Sequence, residues 1–197
     1  MYKIVKRYDL AENIFGMEIE APRIAKSCQP GQFLIVKADR FSERIPLTIA
    51  DYDREKGTVT IVVQRVCLGT TKISYCKERE TLENVEGPLG NPSDFLFENI
   101  EDLKKKSFVF IGGGLGNAPV YPQVKWLHDH GITPDVIMGS RTKDLVFWEE
   151  KMSEVGNVYV TTDDGTYGRH GMVTTCLEDL VTKEGKHYDE CIVIGPM

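Results

Sequence analysis

The chain has 197 residues, 41% of them hydrophobic and 27% charged, enough for one large globular domain or two small ones. A net charge of −6, with no basic run longer than Lys104-Lys105-Lys106, argues against a nucleic-acid surface. No apolar stretch approaches the ~20 residues of a membrane span and the N-terminus has no signal-peptide pattern, so a cytoplasmic protein without a membrane partner is expected.

Five scattered cysteines (Cys28, Cys67, Cys76, Cys176, Cys191) suit reduced thiols rather than a disulfide framework. They form no C-x-x-C, and the four histidines stand at no ligand spacing, so no metal site is expected within the chain.

Residues 2–97 read as short β segments between turns: Ile4-Val5, Phe15 to Ile19, Gln32 to Val36, Pro46 to Ile49, Thr58 to Val63 and Leu82 to Val85. Pro30-Gly31, Asp53 to Gly57 and Gly87-Pro88-Leu89-Gly90-Asn91-Pro92 punctuate them. The pattern predicts a small six-stranded antiparallel β-barrel, here taken as residues 1–99. In it, Arg44 precedes a short strand, Ile45-Pro46-Leu47-Thr48-Ile49. A guanidinium can fork onto phosphate oxygens, and Thr48 can hydrogen-bond to the edge of a heteroaromatic ring lying on the strand. Gly69-Thr70-Thr71, before a helix expected over Lys72 to Lys77, offers a second phosphate cradle of backbone N–H and hydroxyl groups.

The charged, β-poor segment Glu98 to Lys106 marks the boundary, and residues 100–197 alternate strands with helical segments. Strands are expected at Phe108 to Ile111, Asp135 to Gly139, Val158 to Thr161 and Glu190 to Ile194, and helices at Val120 to His130, Trp148 to Met152 and Val173 to Val181. This alternation predicts an α/β domain with a parallel, doubly wound sheet. Its first strand runs into Gly112-Gly113-Gly114-Leu115-Gly116-Asn117-Ala118-Pro119, and a helix follows. Glycines permit positive φ and close approach of a ligand, and a helix N-terminus favours phosphate, so Gly113, Gly114, Gly116, Ala118 and Pro119 are candidates for a pyrophosphate. The alternative is a tight βα turn with nothing bound. The stretch departs from G-x-G-x-x-G, because Asn117 stands at the last glycine.

In such sheets ligands lie beyond the carboxyl ends of the strands. The other three ends carry Ser140-Arg141-Thr142-Lys143, Asp163-Asp164-Gly165 and Gly195-Pro196, small or polar residues suited to a nicotinamide dinucleotide across the sheet. On charge alone Arg141 and Lys143 would accept a 2′-phosphate, and no carboxylate sits at the strand end where NAD-selective folds usually place one.

Together Arg44 to Ile49, Gly69-Thr70-Thr71, Gly87-Pro88-Leu89-Gly90 and Gly112 to Pro119 resemble the ferredoxin–NADP reductase superfamily. Gly139 to Asp144 and Thr162 to Gly171 resemble one subgroup of it. That subgroup holds the electron-transfer subunit of NAD-dependent dihydroorotate dehydrogenase and the small FAD subunit of NADH-dependent reduced ferredoxin:NADP oxidoreductase. The second is the nearer likeness, on Ile45 to Ile49, Thr60 to Gln64 and Tyr121-Pro122.

The resemblance implies a flavoprotein oxidoreductase that passes electrons between NAD(H) and a larger iron–sulfur or flavoprotein subunit through FAD. NADP(H) is the alternative nucleotide. It implies that Arg44 contacts the FAD pyrophosphate, that Pro46, Leu47, Thr48 and Ile49 line the isoalloxazine, and that Gly69, Thr70 and Thr71 assist with phosphate. Ser140, Arg141, Asp163, Asp164, Gly195 and Pro196 join the glycine loop in holding the nicotinamide nucleotide. No catalytic side chain is expected, because the cofactors carry the chemistry.

Two departures stand out. Pro46 occupies a position that is usually aromatic, and Ile194-Gly195-Pro196 replaces the usual Cys-Gly-Pro, so the cysteine's role beside the nicotinamide does not carry over. The resemblance further implies a protein of about 280 residues, whose [2Fe–2S] ligands would lie beyond Met197. The rival readings are a flavin-binding scaffold without activity and a glycine-rich phosphate-binding protein without flavin.

Overall fold

The computed structural model describes residues 1–196. The chain divides into two compact units, Met1–Ser93 and Asp94–Met197, so the charged segment expected as the boundary lies inside the second.

The first unit contains β1 (Tyr2–Ala11), β2 (Ile14–Glu20), α1 (Pro22–Ser27), β3 (Phe33–Lys37), β4 (Ile45–Thr48), β5 (Asp51–Asp53), β6 (Thr58–Gln64), α2 (Leu68–Tyr75), β7 (Thr81–Leu82) and β8 (Asn84–Leu89). The expected six strands become eight: β5 is added, and the last expected strand breaks at Glu83 into β7 and β8. They form two antiparallel sheets, β5-β6-β2-β1-β7 and β4-β3-β8. Alternating apolar residues from both sheets enclose one core. Phe15, Met17 and Ile19 of β2, Val59, Ile61 and Val63 of β6, and Leu34 and Val36 of β3 are fully buried in it.

The second unit opens with α3 (Ile100–Leu103) and continues through β9 (Phe108–Gly113), α4 (Asn117–Asp129), β10 (Asp135–Ser140), α5 (Glu149–Ser153), β11 (Asn157–Thr162), β12 (Arg169–His170), α6 (Val173–Thr182) and β13 (Glu190–Ile194). All neighbours in the order β12-β11-β10-β9-β13 are parallel. Strand alternation decides which helix covers which face. Phe108 and Phe110 pack with Val120, Val124 and Leu127 of α4, whereas Val109 and Ile111 pack with Cys176 and Leu180 of α6. Helices therefore cover both faces, and the carboxyl ends of β9, β10, β11 and β13 are left to the loops.

Helix α4 begins at Asn117, three residues earlier than its apolar spacing suggests. Pro119 is its third residue, where a backbone N–H has no helical partner to lose.

Candidate functional site

In the first unit the candidates lie on and beside β4, which pairs with β3 through Phe33↔Thr48, Leu34↔Leu47, Ile35↔Pro46 and Val36↔Ile45. Ile45 and Leu47 pack against the core and Ile49 is buried. By the two-residue period, Arg44, Pro46 and Thr48 then face away from the core, beside the half-buried Phe33 and Ile35. Leu47 thus presents its backbone, rather than its side chain, to that outer face.

Arg44 Nη1 lies 2.7 Å from Glu86 Oε2, with both side chains about half exposed. Hydrogen bonds from Arg44 and Asn84 hold the Glu86 carboxyl below the usual carboxylate range.

Helix α2 sits directly against the start of β4: a Cβ on Gly69 would lie 2.5 Å from Ile45 Cδ1. The structure thus brings together the arginine segment and the Gly-Thr turn, which lie apart in sequence. The two threonines differ. The buried Thr70 Oγ1 accepts from the backbone N–H groups of Val66 and Cys67, each at 3.1 Å, and donates to Cys67 O, closing the helix cap. The Thr71 hydroxyl has no partner among the described residues and is the one available to a ligand. The exposed Cys67 thiol, bonded to Thr70, is held below its ordinary pKa.

In the second unit the glycine loop sorts into two kinds of residue. A Cβ on Gly112 would lie 2.1 Å from Asn117 Oδ1, and one on Gly116 2.1 Å from Ile194 O, so these two glycines are needed for packing. Gly114 has φ +52° and nothing within 4 Å of a built Cβ; with half-buried Gly113 it forms the part of the loop that a ligand can approach. Ala118 is buried.

Asn117, which spoils the dinucleotide fingerprint, is the residue that sequence reasoning missed. It is 1% exposed, its Nδ2 donates to Gly114 O at 3.0 Å, and its Oδ1 is buried without a partner among the described residues. The signal was its place as the first residue after the glycines. There a short amide can bond the turn it closes.

The ends of β10 and β11 are stitched together. Asp163 N donates to Ser140 O (3.0 Å), Asp164 N to Arg141 O (3.2 Å), and Lys143 N to Thr166 Oγ1 (3.0 Å). Ser140 is buried, with its hydroxyl turned towards Leu145 O. Asp164 Oδ1 accepts from the Thr166 N–H and hydroxyl, bonds that hold its carboxyl below the usual range and make it a turn residue. Arg141 and Asp163 are exposed, and neither side chain has a partner among the described residues. Tyr167 donates its hydroxyl to Glu149 and lies under Lys143 Nζ, 5.3 Å from the ring centroid. Gly195 meets Gly113, and Pro196 Cδ lies 3.4 Å from a built Gly113 Cβ, so the end of β13 closes on the same loop.

Among the described residues, no three His, Cys, Asp or Glu gather as a metal site. No helix is long and apolar enough to cross a membrane.

Comparison with known proteins places this architecture. No protein-family profile matches the chain. It is 59% identical over 198 residues to an uncharacterized protein of Clostridium beijerinckii, covering all of this chain and 67% of that one. It is 37% identical over 194 residues to a dihydroorotate dehydrogenase B (NAD(+)) electron transfer subunit homolog of Thermotoga maritima, covering 98% of this chain and 66% of the other. The dihydroorotate dehydrogenase B (NAD(+)) electron transfer subunit of Bacillus cereus is 32% identical over 197 residues, covering 98% of this chain and 73% of that subunit. The chain belongs to this electron-transfer subunit family.

A solved structure of NADH-dependent reduced ferredoxin-NADP oxidoreductase, a flavin-based electron-bifurcating enzyme, superposes on all of the chain with a TM-score of 0.89 and 35% identity, and the match covers 68% of that chain. The phthalate dioxygenase reductase superposes with a TM-score of 0.73 at 20% identity, which bears on the fold alone. Family and fold make this chain a member of the ferredoxin reductase-like flavoprotein oxidoreductases, whose work is electron transfer. It spans about two thirds of the length of the first two relatives.

Proposed function

We propose that this chain is the part of an electron-transfer subunit that holds FAD on its first unit and NAD(H) on its second, and that it relays electrons to a larger iron–sulfur or flavoprotein partner. The reading rests on the match to an NADH-dependent oxidoreductase along the whole chain. FAD supplies the chemistry when bound, accepting a hydride from reduced nicotinamide and releasing its electrons one at a time.

The chain's own residues bind and orient. Arg44 forks onto the pyrophosphate, exchanging or sharing its Glu86 contact. That exchange costs little, because half-exposed ion pairs contribute about 0–1 kcal/mol. Thr71 and the first N–H groups of α2 add donors to the same phosphates. Pro46 and the Leu47 backbone form a flat, partly apolar seat for the flavin ring, and Thr48 offers its hydroxyl to the ring edge.

In the second unit, Gly113 and Gly114 let the dinucleotide pyrophosphate approach the N-terminus of α4, while Asn117 braces the turn from beneath. Arg141 and Asp163 hold the adenosine end. Gly195 and Pro196 border the loop where β13 ends, and the absence of side chains at Gly113 and Gly195 lets the two backbones meet there. No residue of this chain donates or removes a proton in the relay. A larger partner is in keeping with relatives that are themselves named as subunits.

An anaerobic visible spectrum of the FAD-reconstituted chain, titrated with NADH, tests this. Bleaching of the flavin band is expected; bound flavin that NADH never bleaches refutes the electron-relay reading.

A further inference from the structure

The sheet β4-β3-β8 brings a carboxylate onto the face that carries Arg44 and Pro46. Ile35 of β3 pairs with Pro46 of β4 on one side and with Glu86 of β8 on the other, so the proline and the glutamate stand in one cross-strand row. Both carboxylate oxygens of Glu86 are engaged. Oε1 accepts from Asn84 Nδ2 at 2.8 Å, and Oε2 lies 2.7 Å from Arg44 Nη1. Asn84 is two residues back on β8 and shares the face, so it holds the carboxylate from the same strand.

Glu86 meets Arg44 through Nη1, and the guanidinium has no second partner among the described residues. A free arginine samples many rotamers, and a ligand that captures it must order it. Tied at one nitrogen to a carboxylate that is itself held, Arg44 keeps its other N–H groups for a ligand. Stability does not account for the arrangement, because both side chains are about half exposed, where ion pairs contribute little.

On the proposed role of Arg44 in the first unit, we infer that Glu86, held by Asn84, is a positioning residue. It fixes the Arg44 guanidinium in the orientation that receives the FAD pyrophosphate, and its contact is shared on binding rather than broken. The carboxylate also repels the phosphates, and the two effects oppose each other. Ordering one rotamer-rich side chain in advance is worth about 3- to 10-fold in affinity. Repulsion across a solvated, screened surface is worth about twofold. Orientation therefore wins.

The test is the FAD affinity of the full chain, read by quenching of flavin fluorescence, beside the melting temperature of the flavin-free protein. Glu86→Ala is expected to weaken FAD about 3- to 10-fold at an unchanged melting temperature. Glu86→Gln keeps an acceptor for Nη1 without the charge and should stay within about threefold of the wild type, with Asn84→Ala between the two. In an Arg44→Ala background, Glu86→Ala should have no further effect. Affinity that Glu86→Ala leaves unchanged or tightens overturns the inference, and so does an equal loss in the Arg44→Ala background. If Glu86→Ala does not fold, Asn84→Ala decides, and full affinity in that variant overturns it. An Arg44→Ala protein that binds FAD as the wild type does, or a wild type that binds none, refutes instead the functional reading on which the inference depends.

Discussion

Replacing Gly116 by Ala probes whether the glycine loop is built for packing or for conformation. Gly116 has helical dihedrals (φ −59°, ψ −18°), so backbone entropy alone would make Ala stabilising by about 0.4–1 kcal/mol. The structure predicts the opposite sign. The added Cβ would stand 2.1 Å from Ile194 O and 2.7 Å from Ile194 C. The obstacle is backbone at the end of β13, which a rotamer change cannot clear, so strand or helix must retreat by about 1 Å in a close-packed interior. Overpacking costs about 1–3 kcal/mol, and a clash with backbone belongs in the upper part of that range, about 2–3 kcal/mol, leaving a net loss of about 1–2.6 kcal/mol after the entropic gain. For a unit of about 100 residues that lowers Tm by roughly 4–20 °C. Guanidinium unfolding and a thermal scan of the full chain measure it, with ADP-ribose titration alongside. Gly114→Asn is the control: φ +52° suits Asn and no atom lies within 4 Å of a built Cβ, so stability should change by less than about 0.5 kcal/mol while nucleotide binding weakens. A Gly116→Ala protein as stable as the wild type refutes the packing argument.

Three further outcomes follow from the side-chain chemistry. Thr70→Val leaves two backbone N–H groups uncapped and should cost about 1–2 kcal/mol in urea unfolding, whereas Thr71→Ala should keep full stability and lose only FAD affinity; equal stability losses would remove the distinction between them. Burial raises the Asp135 pKa, but hydrogen bonds from Lys186, Tyr188 and Asn157 more than offset this and leave it depressed in the folded state. Its contribution is therefore present above the unfolded carboxyl pKa of about 3.9 and lost as pH falls through the lower folded value, so Asp135→Asn should cost about 2–3 kcal/mol at neutral pH and flatten the acid limb below about pH 4. Alkylation with iodoacetamide, mapped by mass spectrometry, should reach Cys67 first. Its thiol is exposed and lowered by Thr70, Cys191 is exposed but raised by burial, and Cys28 and Cys176 are buried; faster reaction at Cys191 would contradict the capping geometry.

The fold was legible where apolar residues keep a strict period, and obscure where other forces override it. Thr58 to Ile61 alternates, and the strand read over Thr58 to Val63 forms as β6 with Gln64 added, while Glu190–Ile194 is a strand to the residue. Strand β1 was visible only as Ile4-Val5, yet it runs from Tyr2 to Ala11. Its polar residues Lys6 and Arg7 are held by aromatic faces, over Tyr8 and Phe15, which single-strand patterning cannot report. Gly87-Pro88 reads as a turn, but it lies within β8 at the edge of its sheet, a setting where a strand tolerates the missing N–H. Asp51-Tyr52-Asp53 is too short and polar to announce β5, an edge strand that exists because β6 offers it a ladder.

The candidate site shows the same division more sharply, because a parallel sheet assembles its ligand face from loops distant in sequence. Read one strand at a time, the end of β10 is cationic and Arg44 is an unpaired guanidinium. Read across strands, Asp163 stands beside Ser140 and Arg141, and Glu86 already holds Arg44. The Arg44 charge read from sequence is thereby partly neutralised by a residue of β8, two strands away across β3, and at the end of β10 a carboxylate stands near the cation without pairing with it. The glycine cluster changes in the opposite direction. Four glycines suggested a broad phosphate cradle, but Asn117 and the Ile194 carbonyl claim two of them for packing and Gly113 borders Gly195 and Pro196, which leaves Gly114 as the open one. On the proposed reading a nucleotide would meet a narrow backbone notch at Gly114, with Arg141 and Asp163 both exposed at the neighbouring strand ends, so the site is set by backbone shape and by loops that only the sheet brings together.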